Sequence, residues 1–308
     1  GQTADYIALF LRKALEYRLS GHPSLNEPVR LKKLNPEEGW LAERWRPEQK
    51  DRAKAAPYRD YKGDKHDAFW YFDKEMADAT EKYYANERGK TEQYIGFEQK
   101  GKLITFNPKS HVRMFPSFQP EADGVTFHLK AVYTDTLRNE YSKEHSTHPI
   151  RMSRICGPVE VVNDTTFTVR FYRMGLDNPK RTGGICLMAS VKQDHKYRSA
   201  VQQVEIRIPY RNKEGIPQRI IFPKLSDVKA SVKEISLNGT ADSGLPVYYY
   251  VKEGPAEIKG DKLVLTKIPP RAKFPVKVTV VAWQYGRSGE PKVQTAEAVE
   301  QSFYITAR

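Results

Sequence analysis

The sequence has few cysteines and no long apolar run. Only two of its 308 residues are cysteine, and no apolar segment approaches the roughly 20 residues of a membrane-spanning helix. Arg12 and Lys13 interrupt the one apolar segment near the start, so we expect neither a signal peptide nor a transmembrane segment here. Apolar residues still make up 39% of the chain, which is enough for packed cores and excludes a disordered protein.

The cysteines and histidines do not follow metal-binding patterns. Cys156 and Cys186 lie in apolar, strand-like segments, and we expect two buried thiols, with a disulfide as the alternative. His145 and His148 could present two ligands on one helical turn, but no third ligand accompanies them, and we expect a solvated loop. The sequence therefore predicts no metal and no cofactor.

No catalytic constellation stands out. The chain lacks the G-x-S-x-G nucleophile elbow of α/β-hydrolases. Glu121 and Asp123 precede Gly124 and a strand-like run, and such a pair could divide acid and base roles between its members. A turn before a strand uses the same residue types. We therefore predict no catalytic residue and leave open whether the chain is an enzyme.

The positive charge is concentrated in the middle of the chain. The formal net charge is +13, and residues 91–225 contribute +8 of it, with 21 basic and 13 acidic residues. Such an excess attracts polyanions, or it is a solvated basic surface. Because basic residues do not occur in runs and no nucleic-acid-binding signature is present, we expect no nucleic acid partner. An acidic polysaccharide remains the candidate polyanion.

The first 90 residues predict a helical and extended segment. We expect a helix over residues 3–18 that buries one apolar face, formed by Ile7, Phe10, Leu11, Ala14 and Leu15 and widened by Tyr6 and Leu9. The alternative, expected if the chain is a fragment, is that much of this face is exposed or covered by a partner. Gly and Pro interrupt residues 19–66, which indicates a wrapping segment. A second helix is predicted over residues 67–87. Its aromatic cluster Phe69–Phe72 is expected in a core, with a stacking platform for sugar rings as the alternative.

From residue 91 the pattern changes to strands. About eight strand-like segments occur up to residue 225, and they predict a central antiparallel β-sandwich. Residues 226–308 contain further short strands between turn signals. The predicted protein is thus mainly β, with domains at 1–90, 91–225 and 226–308.

The last domain carries the most specific pattern. It contains the segment Ser243–Val247 (SGLPV), then Tyr249–Ala256 (YYVKEGPA), then Val278–Gly286 (VTVVAWQYG). This pattern resembles bacterial immunoglobulin-like domains, which are appended to secreted surface proteins and polysaccharide-acting enzymes. In the long strand, Val278, Val280 and Ala282 should lie on one face, and Val281 and Trp283 on the other. We expect the Trp283 ring in the core of this domain with its N–H hydrogen-bonded.

The start of the chain resembles a different family. Residues 5–11 (DYIALFL) look like the last helix of an α/β-hydrolase, whose catalytic histidine lies just upstream. Together the two resemblances imply the C-terminal accessory region of a secreted bacterial polysaccharide-acting protein of α/β-hydrolase type. They imply a catalytic domain or partner chain that the sequence does not contain. They also imply a secreted, periplasmic or cell-surface location.

The favoured function is a non-catalytic accessory or binding region of a secreted bacterial hydrolase that acts on polysaccharide or its ester decorations. The alternatives are a glycan-processing enzyme with its site in the central sandwich, and a surface adhesion or scaffold protein. Tyrosine and arginine suit stacking on and hydrogen bonding to a polysaccharide. The candidate binding residues, expected to be exposed on loops, are Tyr133, Arg138, Tyr141, Arg173, Lys180, Arg181, Tyr197 and Arg198.

Overall fold

The computed structural model of the protein describes residues 2–19, 21, 26, 28–44, 52–110, 114–173 and 175–307. They form a mainly β protein with a helical N-terminal part, as the sequence predicts. The chain divides into two compact units, one made of residues 1–92 with 192–199 and the other of residues 93–191 with 200–308. The domain limits drawn from the sequence stay predictions.

The first unit combines two α-helices with one small antiparallel sheet, whose strand order is β2-β1-β3. The elements are α1 (Gln2–Arg18), β1 (Trp40–Glu43), β2 (Ala56–Pro57), β3 (Ala68–Tyr71) and α2 (Lys74–Tyr84), with 3-10 helices at Pro36–Glu38, Lys65–Asp67 and Ala85–Glu87.

The second predicted helix begins later than expected. Residues 68–71 pair with β1 as a strand, and α2 begins only at Lys74, where the Asp73 carboxylate accepts a hydrogen bond from the Met76 N–H at 3.0 Å. The aromatic cluster therefore alternates across a strand. Tyr71 enters the core, whereas Phe69 is 40% exposed. The helical spacing assumed for this cluster was wrong.

Helix α1 forms where the sequence predicts it, but with a different face inward. Tyr6 and Leu9 pack against the small core, and the Lys13 side chain is buried between the carboxylates of Asp73 at 2.5 Å and Glu75 at 2.6 Å. The predicted apolar face is 47–57% exposed at Ile7, Phe10, Leu11 and Leu15, and Ala14 is half-buried. The favoured expectation of a buried face was wrong, and the alternative of an exposed face describes these residues. Helix α1 instead packs through Tyr6, Leu9 and Lys13, because Lys13 pairs with the acidic start of α2.

Electrostatics support this arrangement of the two helices. Burial acts to raise the pKa of Asp73, but hydrogen bonds from Lys13, the Met76 N–H and Tyr17 outweigh it and hold that pKa below its usual value. The pKa of Lys13 is raised by its hydrogen bonds to Asp73 and Glu75, so the ammonium stays charged although it is buried. A charged lysine with two carboxylate partners can be buried without an unpaired charge.

The second unit contains all the remaining strands. They are β4 (Tyr94–Gln99), β5 (Lys102–Leu103), β6 (Thr126–His128), β7 (Lys130–Thr134), β8 (Arg151–Cys156), β9 (Val159–Val161), β10 (Thr166–Val169), β11 (Gly184–Val191), β12 (Ala200–Arg207), β13 (Ile220–Ile221), β14 (Val228–Lys229), β15 (Glu234–Ser236), β16 (Thr240–Ala241), β17 (Tyr248–Glu253), β18 (Ala256–Lys259), β19 (Lys262–Leu265), β20 (Val276–Trp283) and β21 (Val299–Thr306).

Strands β4–β12 build the central sandwich from three antiparallel sheets, with orders β5-β4-β7, β6-β10-β9 and β12-β11-β8. Their inward side chains share one core. In β11 the burial alternates along the whole strand, and Ile185, Leu187 and Ala189 are fully buried. This period of two is what a sheet with one buried face requires.

Strands β14, β15 and β17–β21 build the C-terminal immunoglobulin-like sandwich, and β16 pairs antiparallel with β13 in a separate two-stranded sheet. A four-stranded sheet of order β14-β21-β20-β17 and a three-stranded sheet of order β15-β19-β18 share a second core. β14 pairs parallel with β21, and the other pairs in these two sheets are antiparallel. The sandwich predicted for this part of the chain is thus present.

Strand β20 belongs to both cores of the second unit. Val278, Val280 and Ala282 lie in the core of the C-terminal sandwich. Val281 and Trp283 lie in the core of the central sandwich. The alternation predicted from the sequence is confirmed, and it joins the two sandwiches because neither face of the strand is exposed from Val278 to Trp283.

Trp283 is buried as predicted, but its hydrogen bond is absent. The ring is 1% exposed, edge-on to Phe171 at 4.8 Å and stacked on Tyr248 at 4.9 Å between ring centroids. Its Nε1 has no hydrogen-bond partner among the residues that the structure describes. The ring also packs in the central core and not in the C-terminal one, where we expected it. Phe171 and Tyr248 contact the indole through their rings.

The cysteines are less buried than expected. Cys156 is exposed at the end of β8, and Cys186 is half-buried in β11; both are free thiols. In β11, residues 185, 187 and 189 occupy the inward face, so Cys186 lies on the outer face of the sheet. The expectation of two thiols inside the core was wrong.

We predict that Trp283→Ala destabilises the second unit by about 3 kcal/mol or more, because it removes a large ring from a closed core. The measurement is urea denaturation followed by circular dichroism. Tyr304→Ala is the matched control, since the Tyr304 ring is 42% exposed. A loss below about 1 kcal/mol for Trp283→Ala would contradict the buried position.

Candidate functional site

A cleft of about 520 Å³ opens on the central sandwich. It lies where the β8–β9 turn meets the chain that follows β10 and the loop that precedes β11. Four cations and two aromatic rings line it, and no acidic side chain does: the lining residues are Arg154, Cys156, Gly157, Pro158, Phe171, Tyr172, Arg173, Gly175, Lys180, Arg181 and Thr182. We call this space the basic cleft.

Two glycines shape the walls of the basic cleft. Gly157 has a φ of +95°, and a Cβ there would lie 2.4 Å from the Gly184 carbonyl oxygen. Gly175 has a φ of +63°, and a Cβ there would lie 2.3 Å from the Tyr250 hydroxyl. Both positions need glycine for two reasons. A Cβ would clash with the neighbouring atom just named, and residues with a side chain rarely adopt a positive φ.

Arg181 is the buried cation at the centre of the site. It is 7% exposed, and its guanidinium carbon lies 5.0 Å from the Phe171 ring centroid and 5.1 Å from that of Tyr210. Its Nε donates to the Leu176 carbonyl at 3.0 Å and its Nη2 to the Tyr210 carbonyl at 2.5 Å. Burial lowers the pKa of this guanidinium from a value far above neutrality. An arginine stays charged in proteins.

One guanidinium nitrogen of Arg181 makes no hydrogen bond to the described residues. The Nη1 atom is buried and has no hydrogen-bond partner within the described part of the chain. A buried guanidinium nitrogen without an acceptor is unfavourable, by about 1–3 kcal/mol for a group of this kind. An oxygen acceptor supplied by a ligand would satisfy it. A carboxylate or sulfate oxygen would also neutralise the buried charge.

Two further residues complete the wall, and sequence reasoning did not select either as a binding residue. The Arg154 guanidinium lies 5.2 Å from the Tyr172 ring centroid, and its Nε donates to the Gly157 carbonyl at 3.0 Å. Tyr172 is 42% exposed. The signal for Tyr172 was present, because it alternates with the buried Phe171. Nothing in the sequence pairs Arg154 with that ring; the two meet because β9, which follows β8, pairs with β10.

A second cavity continues the basic cleft. It has a volume of about 350 Å³ and shares Phe171, Tyr172 and Arg173 with the cleft. Its other wall comes from β17 and β18, including Tyr250 and the one acidic lining residue, Glu257. The two cavities lie side by side within the second unit and share three lining residues. We call the two together the basic groove.

The structure brings together only some of the predicted binding residues. Arg173, Lys180 and Arg181 line the basic cleft. Arg173 and Lys180 are exposed, as predicted, whereas Arg181 is buried and holds the loop around it. The loop position assigned to these three residues agrees with the structure, and their role in binding stays a prediction.

Tyr133 lies elsewhere on the central sandwich. Its ring stacks on His145 with centroids 4.0 Å apart, and its hydroxyl donates to the His148 carbonyl at 2.7 Å. These contacts fold the loop after β7 back onto the sheet. No group of three or more histidine, cysteine or acidic residues that could hold a metal occurs among the described residues.

Arg138 and Tyr141 also lie outside the basic groove. The guanidinium of Arg138 lies 4.9 Å from the Tyr94 ring centroid and 4.5 Å from that of Phe106. Tyr141 is 51% exposed, and its hydroxyl donates to a Glu98 carboxylate oxygen at 2.7 Å. Both side chains are engaged in contacts that hold the loop after β7.

Tyr197 and Arg198 belong to the first unit. Tyr197 is 5% exposed, because its backbone forms a β-bridge with Thr91 and its N–H donates to the Asp194 carboxylate at 2.7 Å. The expectation that Tyr197 is exposed was wrong. Arg198 pairs with Glu92 at 2.5 Å.

The carboxylate pair considered for acid–base chemistry has a structural role in this fold. One oxygen of Asp123 accepts hydrogen bonds from the Val125 and Thr126 N–H groups at 3.0 and 2.8 Å, and the other accepts the Thr126 hydroxyl at 2.5 Å. Glu121 lies 3.3 Å from the exposed His128 ring. Asp123 therefore closes the turn before β6, as the alternative interpretation of these residues has it.

We predict that Arg181→Met destabilises the second unit by about 2 kcal/mol or more, because it leaves the Leu176 and Tyr210 carbonyls without their donor. Arg173→Met, at an exposed position of the same cleft, should change the free energy of unfolding by less than about 0.5 kcal/mol. Urea denaturation of both variants checks this. Equal effects of the two substitutions would contradict a structural role for Arg181.

No helix among the described residues is long and apolar enough to cross a membrane. The sequence matches no protein-family model and no curated protein. Among solved structures it is similar to human protocadherin-24 EC1-2, with 12% identity over 70% of this chain and 98% of that chain at a TM-score of 0.25. It is also similar to Drosophila N-cadherin EC1-3, with 12% identity over 91% and 83% of the two chains at a TM-score of 0.23. Mouse cadherin-23 EC22-24 shows 17% identity over 70% and 65%, with a TM-score of 0.22.

Proposed function

We propose that the protein is a non-catalytic binding region of a secreted bacterial hydrolase and that its basic groove binds an acidic polysaccharide. The observation that carries the proposal is the basic cleft. Among the described residues, four cations and two aromatic rings line it, no acidic side chain does, and one buried Arg181 nitrogen has no acceptor. The hydrolase would act on that polysaccharide or on its ester decorations. The location would be secreted, periplasmic or at the cell surface.

The chemistry of the groove fits an acidic sugar chain. Arginines bind carboxylates and sulfates through paired N–H donors. The exposed Tyr172 ring offers an apolar face on which a sugar ring can stack, and Arg154 already lies beside that ring. Lys180 and Arg173 at the rim add positive charge that attracts a polyanion before contact. The groove therefore combines long-range attraction with a defined contact surface.

The enzyme alternative has less support from the groove. Glycoside hydrolysis uses two carboxylates that face each other across the scissile bond. Glu257 is the one acidic residue among the described residues that line the two cavities, and it lines the second cavity and not the basic cleft. A groove with a single carboxylate and several cations favours binding over hydrolysis. An adhesion or scaffold role would use the same groove with a different partner.

The first unit supports the other part of the proposal, which is that the protein contacts a hydrolase domain. The exposed face of α1 presents Ile7, Phe10, Leu11 and Leu15, each about half exposed. Exposed apolar patches of this kind mark protein interaction sites. We propose that the hydrolase domain covers this face, in line with the resemblance of residues 5–11 to an α/β-hydrolase helix.

We expect the protein to bind polygalacturonate more tightly than a neutral glucan in affinity electrophoresis, and this preference should weaken at high salt. The double variant Arg173→Ser with Lys180→Ser should lose affinity by at least about tenfold, because it removes two rim cations. The charge-matched control is Lys233→Ser with Lys267→Ser, at exposed positions of the C-terminal sandwich. Equal losses in both double variants, or salt-insensitive binding to the neutral glucan, would contradict the proposal.

The partner proposal is tested by hydrogen exchange. On addition of a hydrolase domain encoded in the same or an adjacent gene, the backbone amides of α1 should exchange more slowly. Leu11→Glu with Leu15→Glu should abolish that protection, because it places two charges on the covered face. Glu16→Gln, at an exposed position of the same helix, is the control. Unchanged exchange in the presence of the hydrolase domain, or self-association that buries the same face, would overturn this assignment.

A further inference from the structure

The two cysteines of the chain face each other across neighbouring strands. Cys156 is the last residue of β8 and lies directly opposite Cys186 of β11 in the antiparallel register. Directly opposed residues of antiparallel strands have Cα atoms about 4.5–5.5 Å apart. A disulfide needs a Cα separation of about 4.4–6.8 Å. The register thus places the two Cα atoms at a separation that a disulfide can bridge.

The local backbone keeps this end of the two strands together. The register shifts between Cys186 and Leu187, so Ile155 is an extra residue of β8, which bulges just before Cys156. Gly157 follows with its left-handed backbone against the Gly184 carbonyl. The backbone of this turn therefore lies in close contact with the start of β11. A crosslink here needs no rearrangement of the strands.

The two thiols differ in accessibility. Cys156 is exposed and lines the basic cleft, so that an oxidant can reach it. Cys186 is half-buried, and burial followed by its hydrogen bond with Cys156 raises its pKa to about 11. An accessible thiol beside a protected one is the arrangement in which the first reacts with an external disulfide and the second resolves the mixed disulfide.

We propose that Cys156 and Cys186 form a cross-strand disulfide by exchange with a disulfide oxidant. The Cys156 thiolate attacks one sulfur of the oxidant, which breaks the oxidant's S–S bond, forms a mixed disulfide and releases one thiol. Cys186 then gives up its proton and attacks the Cys156 sulfur, and the second oxidant thiol leaves with that proton. Two protein thiols and one external disulfide become one protein disulfide and two external thiols.

The crosslink would act at the rim of the basic cleft. It would tie the turn of Cys156 and Gly157 to β11, and so fix one wall against which a ligand packs. This consequence rests on the proposed function, whereas the disulfide itself does not. A failure of polysaccharide binding would leave the disulfide inference intact, and the reverse also holds.

The test exposes the folded full chain to oxidised glutathione, digests it and maps the peptides by mass spectrometry. We expect one peptide pair joined through Cys156 and Cys186, loss of both titratable thiols, and a thermal midpoint raised by roughly 5 °C or more, which dithiothreitol reverses. Cys186→Ser should instead retain glutathione on Cys156. Cys156→Ser with Cys186→Ser should show no oxidant-dependent shift of the midpoint.

Two results with the folded chain would overturn the inference, and one with the unfolded chain would as well. One is that both thiols stay free in the folded chain after oxidation. The other is that the wild-type chain stops at the mixed disulfide on Cys156, as the Cys186→Ser variant should. A crosslink that forms only after unfolding in urea would count against it as well, because the proposal places the thiols together in the native register.

Discussion

Burial of both faces of β20 is the constraint on which the second unit depends. Val280 faces the core of the C-terminal sandwich, and Val281, the next residue, faces the core of the central one. A strand that is apolar on both faces cannot border solvent without exposing one of them. The two sandwiches are therefore joined through shared packing around Trp283. The second cavity of the basic groove lies along this junction, so its shape depends on the same contacts.

The basic cleft contains a buried cation, which needs hydrogen-bond acceptors or a paired charge to offset its loss of hydration. Arg181 obtains part of this compensation from two carbonyls and two aromatic rings, and one of its nitrogens stays without an acceptor among the described residues. Partial satisfaction of a buried polar group is unfavourable for a free protein and favours a ligand that supplies the missing acceptor. The same residue holds the loop in place through its hydrogen bonds to the Leu176 and Tyr210 carbonyls.

Sequence patterns were most informative where one period was unambiguous. The alternation along β20 gave both of its faces correctly, and the apolar spacing of α1 gave a helix. The inward face predicted for α1 was wrong, because Lys13 turns inward and pairs with the carboxylates of Asp73 and Glu75. The sequence of a single helix does not reveal such partners. The strand of Phe69 was missed for a related reason: its partner, β1, lies in a segment rich in Gly and Pro.

Site prediction failed where it depended on which loops meet. Arg173, Lys180 and Arg181 are close in sequence and were selected together, whereas Tyr197 was selected for its residue type and is buried in the first unit. Arg154 lies on β8 and meets Tyr172, which follows β10, because β9 comes directly after β8 and pairs with β10. The pairing of β8 with β11 places Cys156 opposite Cys186. Two strand pairings therefore decide the composition of the cleft wall and the opposition of the two thiols. Neither of these follows from the spacing of residues along the chain.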